Sequence, residues 1–497
     1  MCVRLAGNLF KISDFIQCQK LILAVSGGSD SLALLFLVKD HLKTLSVAPE
    51  MVVVTVDHQL RQESAREAST VAEICRVHHI EHRIVRWEGE KPKTHIASSA
   101  RVARYDLLFQ EAQKQGATLI MTGHTLNDQV ETYQMRFQRL QKSAALLHRQ
   151  AFVEQCERVG AGDLAGVLHR QDFAEQCEGT AAGDRGEDIA KKNDGLVYER
   201  GLSCIPREAL LRGTVRLIRP LLGVKRETLR AYLRLKEKTW IEDPTNEDRN
   251  FERVRVRQSL HPQKFAVIVQ NVHEATLQRR QKAKNIADLI LALDITVEYG
   301  RCFIAKPAPF LQKNPDFPFV VGLFTVLMGG GFYLLPHKKL SSLVQKISLH
   351  SPEKQRFTYA GSVIEYNRNG IAFWREARNI KEALVEKGQT FLWDGRYQIT
   401  NHGHNAIKVG AAEVQQLKSL CKNNNFNLEN IHFPALKSLL MISNDKGWDI
   451  PELTDHIAVQ NTLTIKRVMA PFDWLVSCED AAFVNVVRPF FDIEVKR

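Results

Sequence analysis

A turn of six small residues near the start of the chain, Ser26–Ser31 with the sequence SGGSDS, most constrains the fold. It separates the apolar run Leu21–Val25, typical of a short buried strand, from Ser31–Lys39, typical of a buried helix. Gly27 and Gly28 let the backbone bend and let a ligand approach closely. The turn lacks the lysine of a Walker A loop and the spacing of GxGxxG and GxSxG motifs.

The same turn predicts a site for an anion. The first N–H groups of a helix have no partner within the helix, and together they attract negative charge. Ser26, Ser29 and Ser31 would add hydroxyl donors, so a phosphate or pyrophosphate is the expected guest. The alternative is a serine that only caps the helix after a tight turn.

Composition indicates a basic protein of several domains. The chain has 497 residues and a net charge of +12, enough length for about three domains. Such charge favours a nucleic-acid partner, with plain solubility charge as the alternative. Nine cysteines without a CxxC pair argue against a disulfide framework or a metal cluster and fit the reducing cytoplasm. No apolar run reaches membrane-spanning length, so we expect no membrane partner and a cytoplasmic location.

The first 135 residues alternate short apolar segments with helical patterns. This alternation predicts a parallel sheet covered by helices on both faces, with a ligand crevice beyond the carboxyl ends of the strands. The expected strands are Leu21–Val25, Met51–Val56, His82–Trp87 and Thr118–Thr122, and the expected helices include Glu63–His78 and Ile96–Gln115.

Polar residues follow these strands where the crevice is expected. Asp57 and His58 come after the second strand, and His124 and Asp128 come after the fourth. We therefore expect them to meet the turn Ser26–Ser31 in one crevice. The alternatives are that Asp57 caps the next helix and that His58 is a core histidine.

A near-exact duplication follows this region. The segment LLHRQAFVEQCERVGAGD at 146–163 returns as VLHRQDFAEQCEGTAAGD at 167–184. Two copies are too few for a solenoid. We interpret residues 140–198 as an expanded surface insertion that is partly disordered, with an arm that touches RNA as the alternative.

Basic residues cluster in the region that follows, up to residue 292, where one or two long helices are expected. The cluster suits phosphate contacts or, alternatively, a solvated helix face. Further on, 356–374 alternates like a hairpin, and we expect a small separate domain from 385. The clustered residues are Arg249, Arg253, Arg255, Arg257, Arg279, Arg280, Lys282 and Lys284.

Five segments resemble a known family. SGGSDS resembles the loop of the PP-loop ATP pyrophosphatases, and the other four resemble tRNA(Ile)-lysidine synthases within that family. They are VDHQLRQESAREA at 56–68, TGHTLNDQVET at 122–132, RPLL at 219–222 and WIEDPTNEDRNFERVRVR at 240–257. The resemblance implies an α/β fold: a parallel-sheet PP-loop domain (1–260), a mostly helical basic domain (261–384) and a small α+β domain (385–497).

The resemblance also implies an activity. These enzymes adenylate the first anticodon cytidine of a minor isoleucine tRNA with a CAU anticodon. Free L-lysine then displaces AMP at C2 to give lysidine, with pyrophosphate as the other product. ATP, Mg²⁺, the tRNA and lysine are the implied ligands. A homodimer is left open.

Roles for individual residues come with the resemblance. Asp30, Asp128, Arg104 and Arg219 would be catalytic, the two aspartates would hold Mg²⁺, and the two arginines would stabilise phosphate charge. Alternatively, Arg104 pairs with Asp106 or Glu111, and Arg219 is an ordinary exposed residue. The implied nucleotide-binding residues are Ser26, Gly27, Gly28, Ser29, Asp30, Ser31, Asp57, His58 and His124.

Two departures from the family pattern affect these expectations. The usual pair of aspartates is Asn127-Asp128 here, and we expect Asp128 to be the essential one. A Gly-rich stretch expected after Thr132 is replaced by YQMRFQRLQKSAA and the duplication. The competing interpretations are a PP-loop tRNA thiolase, which would need paired cysteines, an amide-forming ligase, which would need a glutaminase module, and a non-catalytic RNA-binding relative.

Overall fold

The computed structural model of the chain divides into two units. The first is Met1–Ala209 with Thr214–Arg279, and the second is Leu210–Gly213 with Arg280–Arg497. The structure describes residues 9–61, 63–158, 200–242, 247–347, 349, 352–423, 432–445, 447–453 and 462–491. The expected division at 260 and 384 stays a prediction.

A parallel sheet forms the centre of the first unit. Five strands lie in the order β6-β4-β1-β2-β3, and each neighbouring pair is parallel. This confirms the predicted fold class of the N-terminal region. The strands are β1 Lys20–Ala24, β2 Glu50–Asp57, β3 Glu81–Arg86, β4 Leu119–Thr122 and β6 Val215–Ile218, and a further strand, β5, spans Glu208–Leu211 at the boundary of the units.

The apolar character of the central strands follows from their position. Ile22 of β1, Val53 of β2 and Ile120 of β4 are all completely buried. A strand covered by helices on both faces has no side for polar residues, so it is apolar throughout rather than alternating. The run Leu32–Val38 is buried in the same way, because its helix is apolar all round.

The helices of the first unit confirm most of the sequence-based expectations. The helix predicted at Ile96–Gln115 has those bounds, and the other predicted bounds differ by at most three residues. The α-helices are α1 Ser29–Leu42, α2 Ser64–Val77, α3 Ile96–Gln115, α4 Leu126–Arg158, α5 Arg226–Leu235, α6 Glu252–Gln258 and α7 Pro262–Ala292, and 3-10 turns lie at Ile12–Asp14, Arg200–Ser203 and Pro220–Gly223. The unit boundary falls within α7.

The predicted insertion at 140–198 is helical where the structure describes it. Helix α4 continues through the predicted start of the insertion and ends at Arg158, inside the first copy of the duplication. The rest of the predicted insertion, 159–198, lies outside the described residues.

Several of the clustered basic residues have structural partners. Arg255 donates to the carbonyl oxygens of Arg249 and Asn250, at 2.7 and 2.9 Å. Lys282 pairs with Asp316 at 2.5 Å, and Asp316 is buried. Arg255 and Lys282 therefore stabilise the local fold, so only part of the basic cluster is available to bind phosphate groups.

The described residues of the second unit form three antiparallel sheets. The first, β7-β8-β11-β10-β9, contains the predicted hairpin, which turns between β10 and β11. The other two are β12-β15-β16-β17 and β13-β14-β18. The strands are β7 Ile295–Glu298, β8 Arg301–Ala305, β9 Gln355–Tyr359, β10 Ser362–Asn367, β11 Gly370–Arg375, β12 Ala383–Val385, β13 Thr390–Trp393, β14 Tyr397–Asn401, β15 Ile407–Ala411, β16 Leu440–Asn444, β17 Gly447–Asp449, β18 Leu463–Arg467 and β19 Leu475–Ser477.

Helix α9, Phe317–Gly329, is the most buried helix of this unit and packs on the first of its sheets. Within the described ranges, no helix has the length and hydropathy that crossing a bilayer requires. The remaining helices are α8 Pro309–Gln312, α10 His337–Gln345, α11 Val414–Asn423, α12 Phe433–Leu436, α13 Ala470–Asp473 and α14 Ala481–Val487, with 3-10 turns at Ala377–Asn379 and Arg488–Phe490.

The buried centre of the first sheet gives a stability prediction. Leu23→Ala removes a fully buried side chain from β1 and should lower the free energy of unfolding of this unit by about 2–5 kcal/mol. Native-state hydrogen exchange of the β1 and β4 amides measures this unit by itself. Val47→Ala, at a residue that is 87% exposed, should change it by less than about 0.5 kcal/mol. Equal effects of the two substitutions would contradict the described core.

Candidate active site

A cavity of about 430 Å³ lies at the carboxyl ends of β1, β2 and β4. Its size is in the range of small-ligand sites. The turn after β1, the start of α4 after β4, and helices α3, α5 and α6 all contribute to its lining. The predicted residues that line it are Ser26, Gly28, Ser29, Asp30, Ser31, Arg104, His124 and Asp128.

The turn Ser26–Ser31 presents the start of α1 to this cavity. The residue that caps α1 is Gly28, and among the described residues no side chain bonds to the free N–H groups of the helix start. The Ser31 hydroxyl instead donates to the Gly28 carbonyl oxygen at 3.0 Å and accepts from the Ser26 N–H at 3.2 Å. The serine-cap alternative is therefore wrong, and the N–H groups of the first turn are left for a ligand.

Two close approaches require glycine around this turn. Gly27 has φ +87°, and a β-carbon there would lie 2.5 Å from Cδ1 of Ile241. The Ile241 N–H also donates to the Gly27 carbonyl oxygen at 3.0 Å. A β-carbon on Gly123 would lie 3.0 Å from the backbone N of Ser31. The turn is thus held between residue 241 on one side and the loop after β4 on the other.

Asp30 and Asp128 face each other across one guanidinium group. Arg226 donates from Nε to Asp30 Oδ2 at 2.8 Å and from Nη2 to Asp128 Oδ1 at 3.3 Å. Burial and the nearby Asp128 charge raise the pKa of Asp30 above its usual value, although the Arg226 charge opposes the rise. The backbone N–H and the hydroxyl of Thr125 hold the other oxygen of Asp128, at 2.7 and 2.8 Å.

Glu131 extends this ion cluster into the protein. Its side chain is 1% exposed, and it accepts from Nε of Arg253 at 2.5 Å and from Nε of Arg257 at 2.7 Å. Arg253 also donates to Asp128 at 2.6 Å. A buried carboxylate is stable only with such partners, so these two arginines are fixed beside the cavity, which both of them line.

Asn127 has a structural role that explains the departure from a double aspartate. Its Oδ1 accepts from the backbone N–H of Arg226 at 2.9 Å, so it satisfies a free donor at the start of α5. The amide oxygen makes this bond without adding a further negative charge beside Asp30 and Asp128. Asp128, and not Asn127, lines the cavity.

Asp57 and His58 were expected in the cavity, but neither of them lines it. Asp57 accepts from the Gln59 N–H at 2.9 Å and the Ser64 hydroxyl at 2.8 Å, so it organises the loop that leads into α2. Nε2 of His58 accepts from Arg104 at 3.2–3.3 Å. Arg104 therefore pairs with a histidine rather than with the acidic partners that were the alternative.

Arg219 is completely buried and does not line the cavity. It donates to the Pro206 carbonyl oxygen at 2.8 Å and to the Tyr105 hydroxyl at 3.3 Å, while its Nε has no hydrogen-bond partner in the described part of the chain. Burial, together with the charge of Arg219 and other arginines, holds the pKa of His124 well below 6.5. The alternative of an ordinary exposed Arg219 is therefore wrong, and the charge of Arg219 acts to lower the pKa of Tyr105 and of His124, which both line the cavity.

Part of the cavity was not predicted from the sequence. The residues concerned are Arg101, Tyr105, Arg226, Arg230 and Glu242. A signal was present for two of these residues, because Arg226, Arg230 and Arg234 recur every four residues and so lie on one face of a helix. The clustered Arg253 and Arg257 were noted as phosphate contacts, and the structure adds their pairing with Glu131.

Asp30 and Asp128 are the candidate ligands of Mg²⁺ in the cavity. Within the described residues, no group of three or more His, Cys, Asp or Glu side chains could hold a metal ion. Mg²⁺ commonly binds to one or two carboxylates and completes its shell with substrate phosphates and water. Asp30 and Asp128 provide such a pair beside a helix start suited to phosphate, so they fit a metal ion that arrives with a nucleotide.

Comparison with known proteins agrees with this geometry. The model of a PP-loop domain matches residues 3–162 and 190–264. The fold and the cavity therefore define a PP-loop protein, with a site for ATP.

Curated relatives narrow the assignment. The chain is 84% identical to the tRNA(Ile)-lysidine synthase of Bartonella henselae and 72% identical to that of Bartonella quintana, over the full length of both proteins. It is 32% identical to the enzyme of Brucella anthropi, over 97% of this chain and 96% of the other. The chain belongs to the tRNA(Ile)-lysidine synthase family.

The contact between Gly27 and Ile241 gives a second prediction. Gly27→Ala should destabilise the first unit by about 2 kcal/mol or more, through left-handed strain and overpacking. Gly28→Ala should be nearly neutral, because the nearest atom to its new β-carbon is 3.9 Å away. Adding Ile241→Ala to Gly27→Ala should restore only the packing part. Chemical denaturation measures all three, and a neutral Gly27→Ala would contradict the described turn.

His58 gives a prediction about pH. Burial, followed by the Arg104 charge, lowers its pKa to about 4, so it is neutral at pH 7. Because the unfolded histidine has the higher pKa, the unfolded state binds more protons between about pH 4 and 6.5. Its contribution to stability is therefore present above pH 6.5 and lost as the pH falls towards 4.

An NMR titration of the His58 ring should show this lowered pKa. His58→Gln should also reduce the loss of stability between pH 6.5 and 4. A native pKa near 6.5 would contradict the described burial of the ring beside Arg104.

Proposed function

We propose that the protein uses ATP to join free lysine to C2 of the first anticodon cytidine in a minor isoleucine tRNA with a CAU anticodon. Adenylated cytidine is the intermediate, and lysidine, AMP and pyrophosphate are the products. The observation that carries this proposal is the meeting of an uncapped helix start, paired aspartates and several arginines in one cavity. Full-length relatives named for this reaction support it.

The start of α1 is proposed to hold the phosphates of ATP. Its free N–H groups and the hydroxyls of Ser26 and Ser29 are donors placed before the reaction begins. The apolar side chains of Val54 and Val56 line the same cavity and offer a surface for the adenosine part. The backbone of the turn is proposed to bind the phosphates. Gly27 does not line the cavity, so its proposed role is to allow the backbone conformation of the turn.

Asp30 and Asp128 are proposed to hold Mg²⁺, which when bound neutralises the charge that develops on pyrophosphate. The arginines of the cavity would share this task. Arg104 and Arg253 line the cavity, and both can reach an anion there. Arg219 is proposed to act at a distance, because it is buried against Tyr105.

The proposed partners are the substrates of this reaction. A net charge of +12 favours a polyanion such as tRNA, and lysine is the second substrate. The reaction is proposed to take place in the cytoplasm. A homodimer is also proposed, and analytical ultracentrifugation would measure whether the protein is a monomer or a dimer in solution.

The thiolase alternative has less support from the site. Cys18, Cys75, Cys204, Cys302 and Cys478 are free thiols, and none of these five lines the cavity. Burial raises the pKa of Cys75 to about 11 and that of Cys204 to about 12, so neither is a ready nucleophile at neutral pH.

The test is an assay with ATP, Mg²⁺, radiolabelled lysine and unmodified tRNA. Transfer of lysine into RNA with release of AMP supports the proposal. Sulfur transfer from a persulfide donor would support the thiolase, and RNA binding without AMP release would support a non-catalytic relative.

Asp30→Ala tests the site itself. It should reduce AMP production at least about a hundredfold, because a carboxylate beside the phosphates is lost. Affinity for tRNA, measured by filter binding, should stay within a few-fold of the unchanged protein. Asp40→Asn is the matched control, since Asp40 lies on the same helix and pairs with Lys236 outside the cavity. Equal loss of both functions would mean that Asp30 serves folding.

A further inference from the structure

Arg226 contacts three carboxylates with its three guanidinium nitrogens. Nε is 2.8 Å from Asp30, Nη2 is 3.3 Å from Asp128 and Nη1 is 3.6 Å from Glu131. Its side chain is only 17% exposed. The guanidinium therefore stands between the two aspartates proposed as metal ligands, which is where a metal ion held by both of them would bind.

The three carboxylates differ in their dependence on Arg226. Asp128 and Glu131 are also paired with Arg253, and Glu131 is paired with Arg257 as well. Asp30 has Arg226 as the ion-pair partner that the structure gives it. Removal of Arg226 would leave Asp30 charged and unpaired in a largely buried place, next to the charge of Asp128.

The charges of the cluster balance without a metal ion. Asp30, Asp128 and Glu131 carry three negative charges, and the three arginines carry three positive charges. A divalent cation would therefore find a cluster with no net charge, and the Arg226 guanidinium would occupy the position between Asp30 and Asp128. ATP changes this balance, because its phosphates bring negative charge into the same cavity.

We infer that Arg226 is an internal counter-ion that takes the place of Mg²⁺ between Asp30 and Asp128 until ATP binds. The inference rests on the proposed function. Arg226 then makes metal binding dependent on nucleotide: the metal ion displaces it from the aspartates, and the freed guanidinium turns to the phosphates in the cavity that it lines. The bond from its backbone N–H to Asn127 keeps the start of α5 in place during this exchange.

Mn²⁺ binding without nucleotide tests this inference. Mn²⁺ is a paramagnetic substitute for Mg²⁺, so electron paramagnetic resonance measures its free and bound forms directly. Arg226→Gln should bind Mn²⁺ at least about tenfold more tightly than the unchanged protein, because a positive charge next to the metal is removed. Arg226→Lys, which keeps the charge, should stay close to the unchanged protein.

Two further variants test whether the gain in Mn²⁺ affinity arises at Arg226 and Asp30. Arg234→Gln removes an exposed arginine two turns further along α5, outside the cavity, and should leave Mn²⁺ binding unchanged. Adding Asp30→Asn to Arg226→Gln should abolish the gain, because the released carboxylate is lost. A gain that survives this addition would mean that the metal binds elsewhere and would overturn the inference.

A second measurement separates the inference from the proposed function. The unchanged protein should bind Mn²⁺ more tightly when a non-hydrolysable ATP analogue is present, and Arg226→Gln should lose most of this dependence. Equal Mn²⁺ affinity in both proteins without nucleotide, with normal binding of the analogue, would overturn the role of Arg226 alone. Failure of the unchanged protein to bind the analogue would overturn the proposed function.

Discussion

The ion cluster around Arg226 joins parts of the chain that are far apart in sequence. Asp30 belongs to the turn after β1, Asp128 to the start of α4, and Arg226 to the start of α5. Each of these helix starts has free N–H groups, and carboxylates near them are favourable. The guanidinium satisfies carboxylates that would otherwise repel each other, so the cavity keeps its shape without a ligand.

Local pattern was enough to predict the sheet and the place of the site. The central strands are apolar because they are covered on both faces, and the SGGSDS turn lies where one of them ends. Residues 20–122 therefore predicted the fold class, the crevice and the polar residues of the turn Ser26–Ser31 that line it. The pairing of Arg104 with His58 and the burial of Arg219 could not be predicted in this way, since they depend on contacts between distant segments.

The positive charge of the cavity comes from arginines, while the two histidines near them are neutral. His58 and His124 are held neutral at pH 7 by burial and by the neighbouring guanidinium groups. A neutral His58 can accept a hydrogen bond from Arg104, whereas a protonated one could not. His58 thus orients Arg104, and among the described residues the positively charged side chains that line the cavity are arginines.

Asn127 illustrates why a change at a motif position can be compatible with the same site. The position serves the start of α5 through its side-chain oxygen, and both asparagine and aspartate carry such an oxygen. An aspartate would place a fourth carboxylate near Asp30, Asp128 and Glu131, against three arginines. Asparagine keeps the hydrogen bond and keeps the cluster neutral. The charge that the proposed metal ion needs therefore comes from Asp30 and Asp128, and Asn127 fixes the helix that carries their counter-ion.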